Sequence, residues 1–323
     1  MISKEEVILA YRLILGREPE NSDVVDNYCH TVSSLQNLRE LFMNSPEFIE
    51  KMSERLGNPK LVRQRHPFNL PKIPVEINAS RETLDLMFNR GSDTWEHMGF
   101  TEPYWSVITQ DQYKLNNFSK NSENFYNSGG PLFRDIMSIL KRNGISYLDL
   151  DNCLEIGCGV GRMTKFLAET FRKVIAADIS AQHLTMAKNY ISAESIDNCE
   201  FIHINNLEKF DQFINIDFVI SVITLQHNPP PVISWVLKKL LESLRPSGIA
   251  FFQIPTYRSG YIFEIERYLN RDRDNKIEMH FLPQENIFKI IDESGCICIE
   301  SREDSMVGDE TNTLSKSFLV RKK

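Results

Sequence analysis

Three glycines at alternate positions, Gly157, Gly159 and Gly161, close an apolar run that begins at Cys153 and then passes into a helical pattern. Such glycines let the backbone turn tightly from a strand into a helix and bring its N–H groups against a ligand. A dinucleotide loop requires Gly-x-Gly-x-x-Gly, and Arg162 stands where its third glycine belongs. Glu155, directly before the turn, suits a cationic ligand better than a pyrophosphate. Asp178 ends a second apolar run, Val174-Ile-Ala-Ala-Asp178, and a carboxylate there can accept hydrogen bonds from two ribose hydroxyls. Its alternative role is to cap the following helix, which Ser180 fills better. His227 follows a third run, Ile216 to Leu225, and ligands of open α/β sheets sit beyond the carboxyl ends of the strands. There an imidazole can take a proton from an attacking group; the alternative is a helix-entry residue bonded to backbone. His280 is a second candidate base, and His97, flanked by Glu96 and near Glu102, a third.

Other chemistries lack their residues. No His, Cys, Asp and Glu cluster has metal-ligand spacing, so no metal is expected. There is neither a Gly-x-x-x-x-Gly-Lys-[Ser/Thr] loop nor a Gly-x-Ser-x-Gly elbow.

The elements that must position these groups follow from periodicity. Beyond residue 145, strands are predicted near 153–156, 173–178, 199–204, 217–222 and 248–254, with helices near 161–170, 181–192 and 231–243. That alternation predicts a doubly wound, mainly parallel α/β sheet. A helix near 284–293 and two β-rich runs, Cys296–Glu300 and Ser317–Val320, predict an antiparallel hairpin at one edge.

The front of the chain is helical. Ser3 and Glu6 form a capping-box pair, Val7, Ile8, Tyr11 and Leu15 keep helical spacing, and Gly16 stops the helix. A second helix is predicted near Ser22, a third through Leu35, Leu38, Leu41 and Phe42, and a short fourth opens at Ser45-Pro46. The expected division is a small helical module over 1–56, a proline-rich linker over 57–80, a helical and aromatic segment over 81–143 able to act as a lid, and an α/β domain over 144–323.

At 323 residues, 41% hydrophobic and 25% charged, the chain is ordinary for a globular protein of one large and one small domain. A net charge of -7 gives no broad basic face and disfavours a nucleic-acid substrate. The six cysteines lack a Cys-x-x-Cys pair and read as buried thiols in a reducing compartment. Neither a signal-peptide pattern nor an apolar run of about 20 residues is present, so a cytoplasmic protein is expected.

Over roughly residues 125–323 the chain resembles the class I S-adenosylmethionine-dependent methyltransferases, on Leu154-Glu-Ile-Gly-Cys-Gly-Val-Gly161, Val174–Asp178, Phe201-Ile-His-Ile-Asn-Asn-Leu207, Ile216–Pro231 and Leu244-Arg-Pro-Ser-Gly248. The resemblance implies a Rossmann-like seven-stranded sheet and S-adenosyl-L-methionine as cofactor. It implies cofactor contacts from Glu155, Gly157, Cys158, Gly159, Gly161, Asp178, Ile179, Asn206, Leu207 and Ser221. Asn206 departs from the Asp usual at the adenine-contacting position but keeps a donor and an acceptor. The loop carrying His227 faces the transferable methyl in that family, and the region after the fifth strand builds acceptor contacts.

Tyr11-Arg-Leu-Ile-Leu-Gly-Arg-Glu-Pro19 with Leu38–Phe48 resembles a small helical domain that accompanies glycan-modifying enzymes. Glu102–Ile108, Gln253–Tyr257 and Met279–Pro283 resemble methyltransferases of bacterial surface-sugar and natural-product clusters. The expectation is therefore O-methylation of a sugar hydroxyl in a glycan, glycolipid or glycosylated metabolite, with His227 or His280 as base and Trp105, Tyr257 and His97 as acceptor contacts. Residues 1–56 are expected to engage a protein partner or a second copy. The alternatives are a NAD-dependent oxidoreductase or epimerase, and a non-catalytic protein that binds the cofactor.

Overall fold

The computed structural model describes residues 2–48, 70–272, 274, 276–308 and 312–323. They form two compact units, divided between His66 and Pro67.

The first unit is helical. In α1 (Lys4–Ala10) the Ser3 hydroxyl accepts from the Glu6 N–H and the Glu6 carboxylate accepts from the Ser3 N–H, so two orphan donors are satisfied reciprocally. The chain widens into a π-helical turn, Tyr11–Leu15, before Gly16 ends it at φ 65°. Asn21 caps α2 (Ser22–Thr31) and Ser34 caps α3 (Leu35–Met43). Val7, Tyr11, Leu15, Val25, Leu38 and Phe42 make the core, while Leu35 and Leu41 of the predicted apolar face are exposed. The helical turn expected at Pro46 is present through Phe48; its continuation, and residues 57–69 of the predicted linker, lie outside the described residues.

The second unit begins with an extended stretch in which Val75 bridges Phe263. There follow α4 (Arg81–Thr101), the short α5 (Leu115–Phe118) and α6 (Ser122–Asn127), and α7 (Gly129–Arg142). Seven strands form one sheet: β1 (Asn152–Ile156), β2 (Lys173–Asp178), β3 (Cys199–His203), β4 (Ile216–Ser221), β5 (Leu244–Arg258), β6 (Cys296–Asp304) and β7 (Thr313–Lys322). Their order is β3-β2-β1-β4-β5-β7-β6. The first five are parallel and β7 runs antiparallel between β5 and β6, so the predicted hairpin is inserted by its second strand. The fifth strand is longer than predicted because β7 pairs with it as far as Arg258.

Between the strands run α8 (Thr164–Ala168), α9 (Ala181–Ala193) and α10 (Pro230–Glu242); α11 (Ile265–Asn270) and α12 (Gln284–Glu293) precede the hairpin. The sheet is covered on both faces, which explains the continuous apolar runs of β1 and β4. Leu154 and Ile156 enter one core with Val236, Leu240 and Phe252. Cys153 enters the other with Ile136, Leu167, Phe218 and Phe251, as the two-residue period of a strand requires. Each fully buried Phe of these cores contributes about 1.5–3 kcal/mol of hydrophobic stabilisation. All six cysteines are free thiols. Among the described residues no helix is long and apolar enough to cross a membrane, and no group of His, Cys, Asp and Glu could hold a metal.

Candidate active site

The carboxyl ends of β1, β2 and β4 open into one cavity. Its wall includes Glu155, Gly157, Cys158 and Gly159 from the first turn, Asp178 and Ile179 from the second, and Val222 to Leu225 with His227 and Asn228 from the third. The glycine turn takes left-handed φ values of 78°, 55° and 87° at Gly157, Gly159 and Gly161. Space matters as much as conformation: a Cβ on Gly157 would lie 2.2 Å from the Thr224 side chain, and one on Gly159 3.2 Å from Val107. Gly161 instead lets α9 approach at Ala187 and does not line the cavity.

Asp178 holds this turn to its neighbour. Its Oδ2 accepts from the Gly159 N–H at 2.8 Å and its Oδ1 from the Ser180 N–H at 2.9 Å. Ser180 is the cap of α9, accepting from the His183 N–H. Glu155 is buried, and its Oε2 accepts a 2.6 Å bond from the Thr164 hydroxyl. Burial pushes its carboxyl up to about 7, against the pull of Thr164 and of the Arg162 guanidinium. Arg162 lines the same end of the cavity, with Nη1 donating to Ser128 and a buried Nε that has no partner. Burial lowers its pKa, which Glu155 partly offsets.

Another part of the lining is aromatic and imidazole-bearing. Trp95 of α4 lies between two histidines, its ring centroid 5.1 Å from that of His227 and 6.2 Å from that of His183. His227 Nδ1 lies 2.7 Å from the Glu278 carbonyl oxygen. A carbonyl only accepts, so Nδ1 carries the proton and Nε2 keeps its lone pair. Burial, then the neighbouring His280, pushes His227 down to about 4, while the Ile223 backbone raises it. Helix α4 is fixed over the site by Glu96, whose carboxylate accepts from the Ala181 N–H, and by Gly99, where a Cβ would meet Ser180 Oγ at 2.6 Å. Behind it Tyr113, Phe125 and Val160 form a small core with Tyr104, Phe118 and Tyr126, so the aromatic segment rests on the glycine turn.

Several predicted site residues are not brought to the cavity. His280 is buried elsewhere: Tyr261 donates to its Nδ1 and its Nε2 faces Glu278 at 2.8 Å. Burial and Arg271 hold His280 down to about 3, so the Glu278 contact is a hydrogen bond from a neutral ring. His97 is on the exposed side of α4 and Tyr257 is buried in β5; neither they nor Trp105 line the cavity. Asn206 caps the 3-10 turn Leu207–Gln212 and is exposed, Leu207 is in the core, and Ser221 donates to the Ile156 carbonyl. Ile204 and Phe210 line the wall on that side instead. Trp95, His183, Thr224 and Arg162 were not among the predicted contacts. Arg162 was within reach of the sequence, since it directly follows the glycine turn; the others arrive through tertiary packing.

The donor set fits the cofactor implied by the glycine turn. Glu155, Arg162 with its orphan Nε, Asp178 and apolar side chains such as Ile156 and Val222 all line the one cavity. A carboxylate and a guanidinium beside apolar surface suit an amino acid joined through a sulfonium to a nucleoside.

Residues 153–248 match the family model described as a methyltransferase domain. No curated protein matches the chain. Magnesium protoporphyrin IX methyltransferase from Synechocystis PCC 6803, solved with bound S-adenosylhomocysteine, is similar at 18% identity and TM-score 0.50, over 72% of this chain and 98% of that one. N-methyltransferase NodS from Bradyrhizobium japonicum WM9 is similar at 14% identity and TM-score 0.47, over 72% and 98%. Over residues 153–248 the chain therefore matches a methyltransferase domain.

Proposed function

We propose that the protein methylates a hydroxyl of a sugar, in a glycan, glycolipid or glycosylated metabolite, with His227 as the proton acceptor. One observation carries the reading: His227 is on the cavity wall with Nδ1 bonded to the Glu278 carbonyl, which makes Nε2 the acceptor nitrogen, with the Gln226 amide nitrogen 3.5 Å from it. S-adenosylmethionine, when bound, supplies an electrophilic methyl on sulfur. His227 is a weak base, neutral at physiological pH. That is sufficient, because a hydroxyl oxygen becomes strongly acidic as its bond to carbon forms, and its proton then passes to Nε2. The other residues bind and align. Arg162 would hold the cofactor carboxylate, Glu155 its ammonium, the glycine turn its methionine portion and Asp178 its ribose. Trp95, stacked edge-on against His227, offers an apolar face to a sugar ring and helps exclude water.

In the same reading the segment over 81–143 acts as a lid on the domain over 144–323. Residues 1–56, joined through the linker at 57–80, engage a protein partner or a second copy, and the protein works in the cytoplasm. The test is mass spectrometry of a candidate glycan pool incubated with enzyme and methyl-labelled cofactor. One labelled methyl on a sugar oxygen is expected; label only on nitrogen or carbon overturns the acceptor assignment.

A further inference from the structure

The loop that carries His227 contains a strained residue. Ile223 takes φ 54°, a left-handed conformation that crowds a β-branched side chain against its own backbone. It is neither glycine nor asparagine, and it lines the cavity two residues after the end of β4. Strain of this kind persists only where the surroundings fix it.

The fixing group is on another strand. Gln253, fully buried in β5, accepts the Ile223 N–H on its side-chain Oε1 at 3.0 Å. Its Nε2 donates to Gln226 Oε1 at 3.0 Å and to Ser315 Oγ of β7 at 2.7 Å. One carboxamide thus grips the loop on both sides of Thr224, the residue packed over Gly157, and directly before His227. Its amide orientation follows from these partners, since the Ile223 N–H can only donate and so faces oxygen. A second strand of chain completes the hold: the His280 N–H donates to the Gln226 carbonyl at 2.7 Å, and His227 donates to Glu278. The clamped loop also reaches the base directly, since the Gln226 amide nitrogen lies 3.5 Å from His227 Nε2.

We infer that Gln253 is a positioning residue: its buried carboxamide holds Ile223 in the left-handed turn and thereby sets the orientation and tautomer of His227. The inference rests on the reading of His227 as proton acceptor for its link to turnover, but the structural arm of its test needs no methyl transfer. It assigns a role to the antiparallel hairpin as well, since Ser315 of β7 anchors the carboxamide from the far side.

The test uses the full chain with Gln253→Met, which keeps length and removes both polar ends. Long-range proton–nitrogen spectra of the histidines should lose the single Nδ1-protonated pattern of His227. With an acceptor from the glycan pool, kcat should fall about tenfold or more while KM for the cofactor changes less. Adding Ile223→Gly, which adopts the turn without strain, should restore the His227 pattern in the double variant. An unchanged His227 pattern in Gln253→Met, or a double variant no better than the single one, overturns the inference. Should Gln253→Met not fold, hydrogen exchange on the native protein decides: a protected Ile223 amide supports it, and exchange at the rate of a free loop overturns it. Should the spectra change as expected while no acceptor is methylated, the hold on the loop stands and the methyl-transfer reading fails.

Discussion

His227 Nδ1 lies 2.7 Å from the carbonyl oxygen of Glu278, a residue fifty-one positions later in the chain. This contact joins the loop after β4 to the segment before α12 and settles which ring nitrogen holds the proton. Burial then keeps the ring neutral down to about pH 4. Turnover at saturating substrates should therefore be flat around neutrality and fall only as the pH approaches about 4. His227→Ala should lower kcat about a hundredfold or more. Stopped assays across pH on both proteins check this; a midpoint near the ordinary histidine value in the native enzyme would assign the proton to another group.

Glu155 makes the opposite demand on the fold. Its carboxyl titrates at about 7 when folded, above its ordinary value of 4.5. The folded state thus holds this proton more tightly, and stability is lost as pH rises from 4.5 through 7. Glu155→Gln removes that loss and still accepts from Thr164. It should match the native protein near pH 4 and exceed it at pH 8 by up to about 3 kcal/mol. Denaturant unfolding at the two pH values checks the difference, and calorimetry with S-adenosylhomocysteine should show weaker binding by the same variant.

At Gly157 sterics dominate. Alanine there would combine a φ of 78° with a Cβ placed 2.2 Å from Thr224. Gly157→Ala should weaken S-adenosylhomocysteine binding by at least about tenfold, since a left-handed alanine alone costs about 1–2 kcal/mol. Gly161→Ala, whose Cβ would meet Ala187 at 3.3 Å, should lower stability and spare affinity. Equal affinity losses in both would mean that the turn acts as one rigid unit.

Asp178 bonds two backbone donors at once. Asp178→Ala should cost about 1–3 kcal/mol of stability by orphaning the Gly159 and Ser180 N–H groups, and abolish cofactor binding measured by calorimetry. Unchanged affinity in a folded variant would limit Asp178 to shaping the turn.

Much of the site was legible in one dimension because its parts are local. A strand, a glycine turn and a helix start occupy a dozen consecutive residues, so Glu155, Gly157, Gly159 and the acid at Asp178 could be read from spacing alone. The same holds for the hairpin, whose strands pair antiparallel as their sequence separation requires. Asn206 and Ser221 lie next to the cavity in sequence but off its lining, because their side chains turn into a cap and a backbone bond.

The sequence by itself determined the order of strands and helices, the glycine turn and the polar groups at the strand ends, since each depends on residues within one or two turns of each other. Only the tertiary structure decided which imidazole reaches the cavity, which nitrogen of it carries the proton, and that Trp95 and the Gln253 carboxamide support its loop. Those choices depend on hydrogen bonds and packing between segments far apart in the chain, such as Glu278 with His227 and Gln253 with Ile223, and no local pattern encodes them.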